Sequence, residues 1–283
     1  MGNILAPIDF SDCSVNALEH AITIAARGEL DVHMIWVNNP RQTKVTIYSD
    51  TANELVESVE SRFNKLIDQY KGHLPNSKID FVIREGKVYR EINDEAREMN
   101  SDCIVMGTHG VSGFEQFWIG SNASKIISVS ECPVITLRAG IDARYALDKI
   151  VMPIDSTIDT RQKVPFTTYL ARLFNAEIHV LAVYTSNIKS IRSRVDMYAG
   201  QVCDYLAEEG IKFVQDAVEG DNLTTSTIEY AQSVNANLIS IMTEQETKAY
   251  NLLIGPYATQ MVNNSPFPVL SINPYETMQM DSR

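Results

Sequence analysis

The chain has 283 residues, 45% of them apolar and 21% charged, with a net charge of −12. That length suggests about two domains, and the composition is too apolar for a disordered chain. An acidic balance without any basic run argues against a general nucleic-acid binder, which needs clustered Lys and Arg, and no apolar stretch approaches the roughly 20 residues of a membrane span.

In chain order, Ile4 to Ile8 reads as a strand. No basic region precedes it, so no signal peptide is expected, and Ala6 stands where a myristoylation start wants Ser or Thr. Ser11 is placed to cap a helix carrying Val15, Leu18, Ile22 and Ala25 on one face, with Gly28 as its stop. Val32 to Val37 is the next strand. A longer amphipathic helix with Leu55, Val59, Phe63 and Leu66 follows, then a strand from Ile79 to Arg84. Glu91 to Met99 reads as a helix, Cys103 to Met106 as a strand, Asn122 to Ser130 as a helix and Pro133 to Leu137 as a fifth strand. Apolar strands alternating with helices predict α/β architecture, a parallel sheet covered on both faces.

The pattern then repeats. Asn3-Ile4-Leu5-Ala6-Pro7-Ile8-Asp9 matches Lys149-Ile150-Val151-Met152-Pro153-Ile154-Asp155 at an offset of 146, which also pairs His33 with His179 and Val37 with Val183. Gly120 pairs with Gly255 and Pro133-Val134 with Pro268-Val269 at an offset of 135, so the second copy is 11 residues shorter between these landmarks. The shortfall is expected mostly in the polar, helix-like region around Thr51 to Lys71. Two tandem domains follow, 1–140 and 148–275, joined by a short charged linker at 139–148 that predicts packed rather than freely swinging domains.

Ligands of open α/β sheets sit at the carboxyl ends of strands where the strand order reverses. The unusual chemistry here follows the first and fourth strands, which an order of 3-2-1-4-5 would make neighbours. After the fourth strand comes Gly107-Thr108-His109-Gly110-Val111-Ser112-Gly113, and Gly120-Ser121 opens a helix. Glycines let backbone N–H groups converge on an anion, and a helix N-terminus adds free donors and a favourable dipole. No Walker-type Lys accompanies the loop, which suits binding better than fast phosphoryl transfer.

Asp9 could accept hydrogen bonds from a ribose or adenine, help hold a metal, or simply stabilise its loop. His109 could contact phosphate or a metal, or lie solvated. His33 and His179, inside strands, read as hydrogen-bonded core or edge residues, and Trp36 and Phe117-Trp118 as stacking groups or, more often in such positions, as core or interdomain packing. Cys13, Cys103, Cys132 and Cys203 share no metal-ligand spacing, and Cys103 and Cys132 sit in apolar context as small core residues. A reducing cytoplasm fits best.

These residues closely resemble the universal stress protein family in its tandem form. Gly107, Gly110, Gly120 and Ser121 meet its Gly-x2-Gly-x9-Gly-Ser/Thr motif, and Ala6-Pro7-Ile8-Asp9-Phe10-Ser11 and Cys132-Pro133-Val134 look like its other signatures. The resemblance implies two Rossmann-like domains of the adenine-nucleotide α-hydrolase type, each a five-stranded parallel sheet. It implies ATP or AMP, with Mg2+ as an accompanying ion, at the sheet's carboxyl edge. Pro7, Asp9 and Val37 would flank adenine and ribose, and Met106 and Gly107 would support the sugar. His109, Gly110, Gly120, Ser121 and Asn122 would surround the phosphates. It also implies pairing of the two halves through their last strands and leaves room for a homodimer of whole chains.

The second copy departs from the motif. Gly107 becomes Met242, Gly110 becomes Gln245, Ser121 becomes Pro256, and His109 becomes Glu244 with Glu246 nearby. Carboxylates where an anion would sit, and a Pro lacking a donor, disfavour nucleotide binding there. The expectation is a cytoplasmic stress or signalling protein that binds ATP or AMP in its N-terminal domain, with little or no hydrolysis. The alternative is an interaction scaffold, or a binder of another small metabolite, with no nucleotide requirement. A transferase of the ATP pyrophosphatase type is disfavoured, because neither its phosphate loop nor clustered catalytic carboxylates are present.

Overall fold

The computed structural model describes residues 2–39, 50–109, 119–138, 140–141, 147–243 and 254–274. In the first half, strands β1 (Asn3–Pro7), β2 (Asp31–Asn38), β3 (Ile79–Glu85), β4 (Cys103–Gly107) and β5 (Val134–Leu137) alternate with helices α1 (Asp12–Gly28), α2 (Asp50–Tyr70), α3 (Val88–Glu98) and α4 (Ser121–Val129). The second half repeats this with β6 (Lys149–Ile154), β7 (Glu177–Tyr184), β8 (Phe213–Glu219), β9 (Leu238–Met242) and β10 (Val269–Ile272). Its helices are α5 (Val164–Phe174), α6 (Lys189–Glu208), α7 (Leu223–Ser233) and α8 (Pro256–Asn264).

All ten strands form one sheet in the order β3-β2-β1-β4-β5-β10-β9-β6-β7-β8. Each half therefore has the expected 3-2-1-4-5 order. The strands run parallel within each half and antiparallel at the seam, where Val134, Ile135 and Thr136 of β5 face Ser271, Leu270 and Val269 of β10. Neighbouring residues of β1 supply opposite faces: Ile4 and Ala6 join one apolar layer with Leu18, Phe63 and Leu170. Leu5 joins the other with Ile92, Ile126 and Met261. Helices α1, α2, α5 and α6 thus cover one face and α3, α4, α7 and α8 the other, so the strands are apolar throughout.

Two local expectations shift. Ser11 does cap α1, accepting from the Ser14 N–H at 3.2 Å, but the helix runs through Gly28 and the left-handed residue is Glu29 (φ 51°). Gly28 serves close approach instead: a Cβ there would lie 3.2 Å from Leu173 of α5 in the other half. The shortfall of the second copy also lies elsewhere than expected. Helices α2 and α6 have 21 and 20 residues, so the shortening falls in the connections on either side of them. β2 ends at Asn38 and α2 begins at Asp50, whereas β7 ends at Tyr184 and α6 begins at Lys189. The halves also differ at the start of α5. A 3-10 turn at Ile158–Arg161 precedes it, and the helix has 11 residues against 17 for α1.

Side-chain hydrogen bonds also tie the halves together. Asn273 donates to the carbonyls of Ile127 (2.7 Å) and Ser130 (2.8 Å), closing the end of α4. The Asn263 side-chain oxygen in α8 accepts the Ile119 N–H at 2.5 Å.

Candidate functional site

The strand order reverses between β1 and β4, which pair directly. Asp9 leaves β1 at that point. Its Oδ1 accepts from the Ser11 N–H at 3.0 Å and the Ser11 hydroxyl at 2.6 Å, around Phe10, which takes a positive φ of 63°. Asp9 therefore shapes the loop that starts α1, and Asp155 does the same with Thr157 in the second half (2.8 and 2.5 Å).

The opposite wall begins at Gly107, the last residue of β4. A Cβ on Gly107 would stand 2.7 Å from the Cys13 sulfur and 3.0 Å from the Cys13 carbonyl oxygen, so the strand touches the first turn of α1 directly. Thr108, 2% exposed, links three segments. Its N–H donates to Leu137 and its carbonyl accepts from Gly120, both at 2.9 Å, and its hydroxyl meets His109 Nδ1 at 2.8 Å. His109 Nε2 is buried without a hydrogen-bond partner among the described residues. Gly120 caps α4, and a Cβ there would lie 3.1 Å from the Thr108 carbonyl. The first turn of α4 presents N–H groups that the helix itself leaves unpaired.

Between these walls lies a cavity of about 500 Å3. Pro7, Asp9 and Val37 line it together with Met106, Gly107 and His109, and Gly120, Ser121 and Asn122 do so from the start of α4. Nine of the residues expected at the site thus border one cavity, and Gly110 lies outside the described residues, as do Val111 to Gly113 and Phe117-Trp118. Trp36, which reads from the sequence as a packing or a stacking aromatic, borders the cavity as well. So do Asn39, Val88 and Ile92, which the sequence reading missed. Val88 and Ile92 are one turn apart on α3, and that spacing is the available signal.

The histidines within strands are bonded where the sequence suggested. His33 joins Asp80, and also Glu95 at 3.2 Å, while His179 joins the Tyr230 hydroxyl at 2.9 Å and Glu177 at 3.0 Å. Burial disfavours the His33 charge, but the hydrogen bond and charge of Asp80, with Glu95, outweigh it and raise its pKa above 6.5. Cys103 and Cys132 are pushed up by burial, as small core thiols should be. No group of three His, Cys, Asp or Glu among the described residues could hold a metal ion.

The equivalent place in the second half is smaller, a cavity of about 300 Å3 bordered by Asp155, Thr160, Lys163, Met242 and Tyr257. Pro256 is the first residue of α8, so a backbone donor is missing where Ser121 has one. Glu244, Gln245 and Glu246 lie outside the described residues. Sequence reasoning missed Lys163, whose signal was its alignment with buried Ala17 at the repeat offset.

Comparison with known proteins gives one consistent answer. The sequence profile described as the universal stress protein family matches residues 1–138 and 146–273. A universal stress protein of Methanocaldococcus jannaschii is 30% identical over 142 residues, spanning 48% of this chain and 81% of that protein. Universal stress protein YxiE of Bacillus subtilis is 27% identical over 146 residues, spanning 48% of this chain and 97% of its own length. Among solved structures, a universal stress protein from Archaeoglobus fulgidus superimposes with a TM-score of 0.78, covering 96% of this chain and 98% of that one. Its 19% identity makes this a likeness of fold.

Proposed function

The chain belongs to the universal stress protein family, and from that premise we propose that it is a stress-response or signalling protein binding one adenine nucleotide, ATP or AMP, in its first half. The observation that carries this reading is the single cavity at the β1–β4 reversal, bordered by nine of the residues the family motif implies. Its chemistry suits the ligand. The α4 N-terminus offers unpaired N–H groups and a positive dipole end to phosphate, and the buried Nε2 of His109, which has no partner among the described residues, suits a ligand oxygen. The apolar wall of Val37, Met106 and Ile92 suits a base. Asp9 is held by Ser11 and keeps its place beside the sugar and base end of the cavity.

Among the described residues nothing here supplies a positioned nucleophile with a charge clamp, which suits a nucleotide that acts as a signal carrier with at most slow hydrolysis. The two halves, 1–140 and 148–275, act as an internal pseudo-dimer in the cytoplasm, the second serving as partner to the first. Mg2+ would enter with the phosphates, held by them and by water. No helix among the described residues is long and apolar enough to cross a membrane.

Titration calorimetry with ATP and AMP tests the proposal. One nucleotide per chain is expected for the wild type, and none for Ser121→Glu, which sets a carboxylate against the phosphates while preserving the melting temperature. Unchanged affinity in that variant, or no binding to the wild type with no nucleotide seen by native mass spectrometry, refutes it and leaves a scaffold or another small metabolite.

A further inference from the structure

The second-half cavity has its own chemistry, independent of the nucleotide reading. Lys163 replaces Ala17 of the first half and is 2% exposed. Its ammonium donates to the carbonyl of Thr160 and to the Thr160 hydroxyl (3.1 Å). Those are its only hydrogen-bond partners among the described residues, and it makes no ion pair among them, so its third N–H has no partner there. Where α1 continues in the first half, a 3-10 turn at Ile158–Arg161 precedes α5, and its Thr160 covers the amine. Burial lowers the Lys163 pKa to about 8, against the pull of the Asp155 charge.

The charges around Lys163 select its ligand. Asp155 and Asp159 border the same cavity, which opposes an anion, and the ammonium opposes a cation. A neutral ligand with an acceptor oxygen satisfies the spare N–H. We propose that Lys163 is a reactive amine that condenses reversibly with small neutral aldehydes admitted to the second-half cavity. The nitrogen lone pair attacks the carbonyl carbon, and the oxygen takes up the proton that nitrogen releases, giving a carbinolamine. Loss of that oxygen as water forms the C=N bond, so amine and aldehyde give imine and water with no oxidant or reductant. The protonated imine keeps its positive charge opposite Asp155, which the neutral product of an acylation would forfeit. Buried lysines are well suited to such chemistry, because a group neutral about one time in ten at pH 7 replaces one that is neutral in fewer than roughly one in a thousand molecules.

The whole chain, treated with propanal and sodium cyanoborohydride and mapped by peptide mass spectrometry, tests this. The reduced adduct should form on Lys163 at least about tenfold faster than on exposed Lys189 and Lys212, with a rate rising to half its limit near pH 8. In urea that lead should vanish, since the cavity creates it. A Lys163 that labels no faster than Lys189 in the folded chain, or gains no adduct, overturns the proposal whatever the first half binds.

Discussion

Replacing Gly107 with Ala tests whether close contact, rather than backbone freedom, requires glycine at the end of β4. Gly107 has no positive φ, so the cost is steric. The new methyl carbon would lie 2.7 Å from the Cys13 sulfur, 3.0 Å from its carbonyl oxygen and 3.1 Å from its carbonyl carbon. The sulfur can rotate away, giving up its 3.5 Å contact with the Leu137 carbonyl, but the two backbone atoms move only if the first turn of α1 moves. Overpacking of this kind costs about 1–3 kcal/mol, offset by the ~0.5–1 kcal/mol that Ala gains over Gly in a strand. A net loss of about 1–2 kcal/mol should lower the melting temperature of a chain this size by roughly 2–3 °C. Calorimetry on Gly107→Ala, Cys13→Ala and the double variant separates the terms, because removing the sulfur should return only part of the loss. Wild-type stability in Gly107→Ala, or full rescue by Cys13→Ala, would show that the backbone contact imposes nothing.

Other outcomes follow from the seam and the buried charges. Asn263→Ala should cost about 1–2 kcal/mol and speed hydrogen exchange at the Ile119 amide, whereas Asn263→Asp, which keeps the acceptor oxygen, should preserve its protection. Equal exchange in both variants would dismiss the contact. The His33 pKa is raised, so the stability its charge contributes is fully present below the ordinary histidine value of 6.5 and is lost as pH rises through the raised folded value. Denaturation of wild type and His33→Asn at pH values from about 5 to 9 should show a gap that is widest in acid and narrows above neutrality. A gap that widens with pH would reverse the assignment.

Most of the fold could be read from the residues because its strands are apolar on both faces and its helices alternate with them. Val59 and Phe63 carry a helical period and both are buried, and the reversal between β1 and β4 follows from where the odd loops fall. What escaped was set by distant contacts. Gly28 looks like a helix stop in sequence, yet its neighbour across the packing is Leu173, in the other half. The shortening of the second copy could not be placed from offsets alone, since helices α2 and α6 differ by a single residue in length. The candidate site was legible through its glycines and Ser121. Asn263 and Lys163 were not, since one side chain acts across the seam and the other looks like any solvated lysine until the shortened helix start encloses it.

The antiparallel pairing of β5 with β10 uses up the inner edge of each half. Because the partner strand belongs to the same polypeptide, the pairing is intramolecular, and dilution cannot dissolve it as it would a pair of separate chains. Each copy is also released from having to match itself. In a dimer of identical chains a substitution such as Gly to Met at the end of the fourth strand would alter both sites at once, whereas here it changed only one. The tether is therefore what lets one half keep its glycine-rich sequence after the fourth strand while its companion acquires a buried amine.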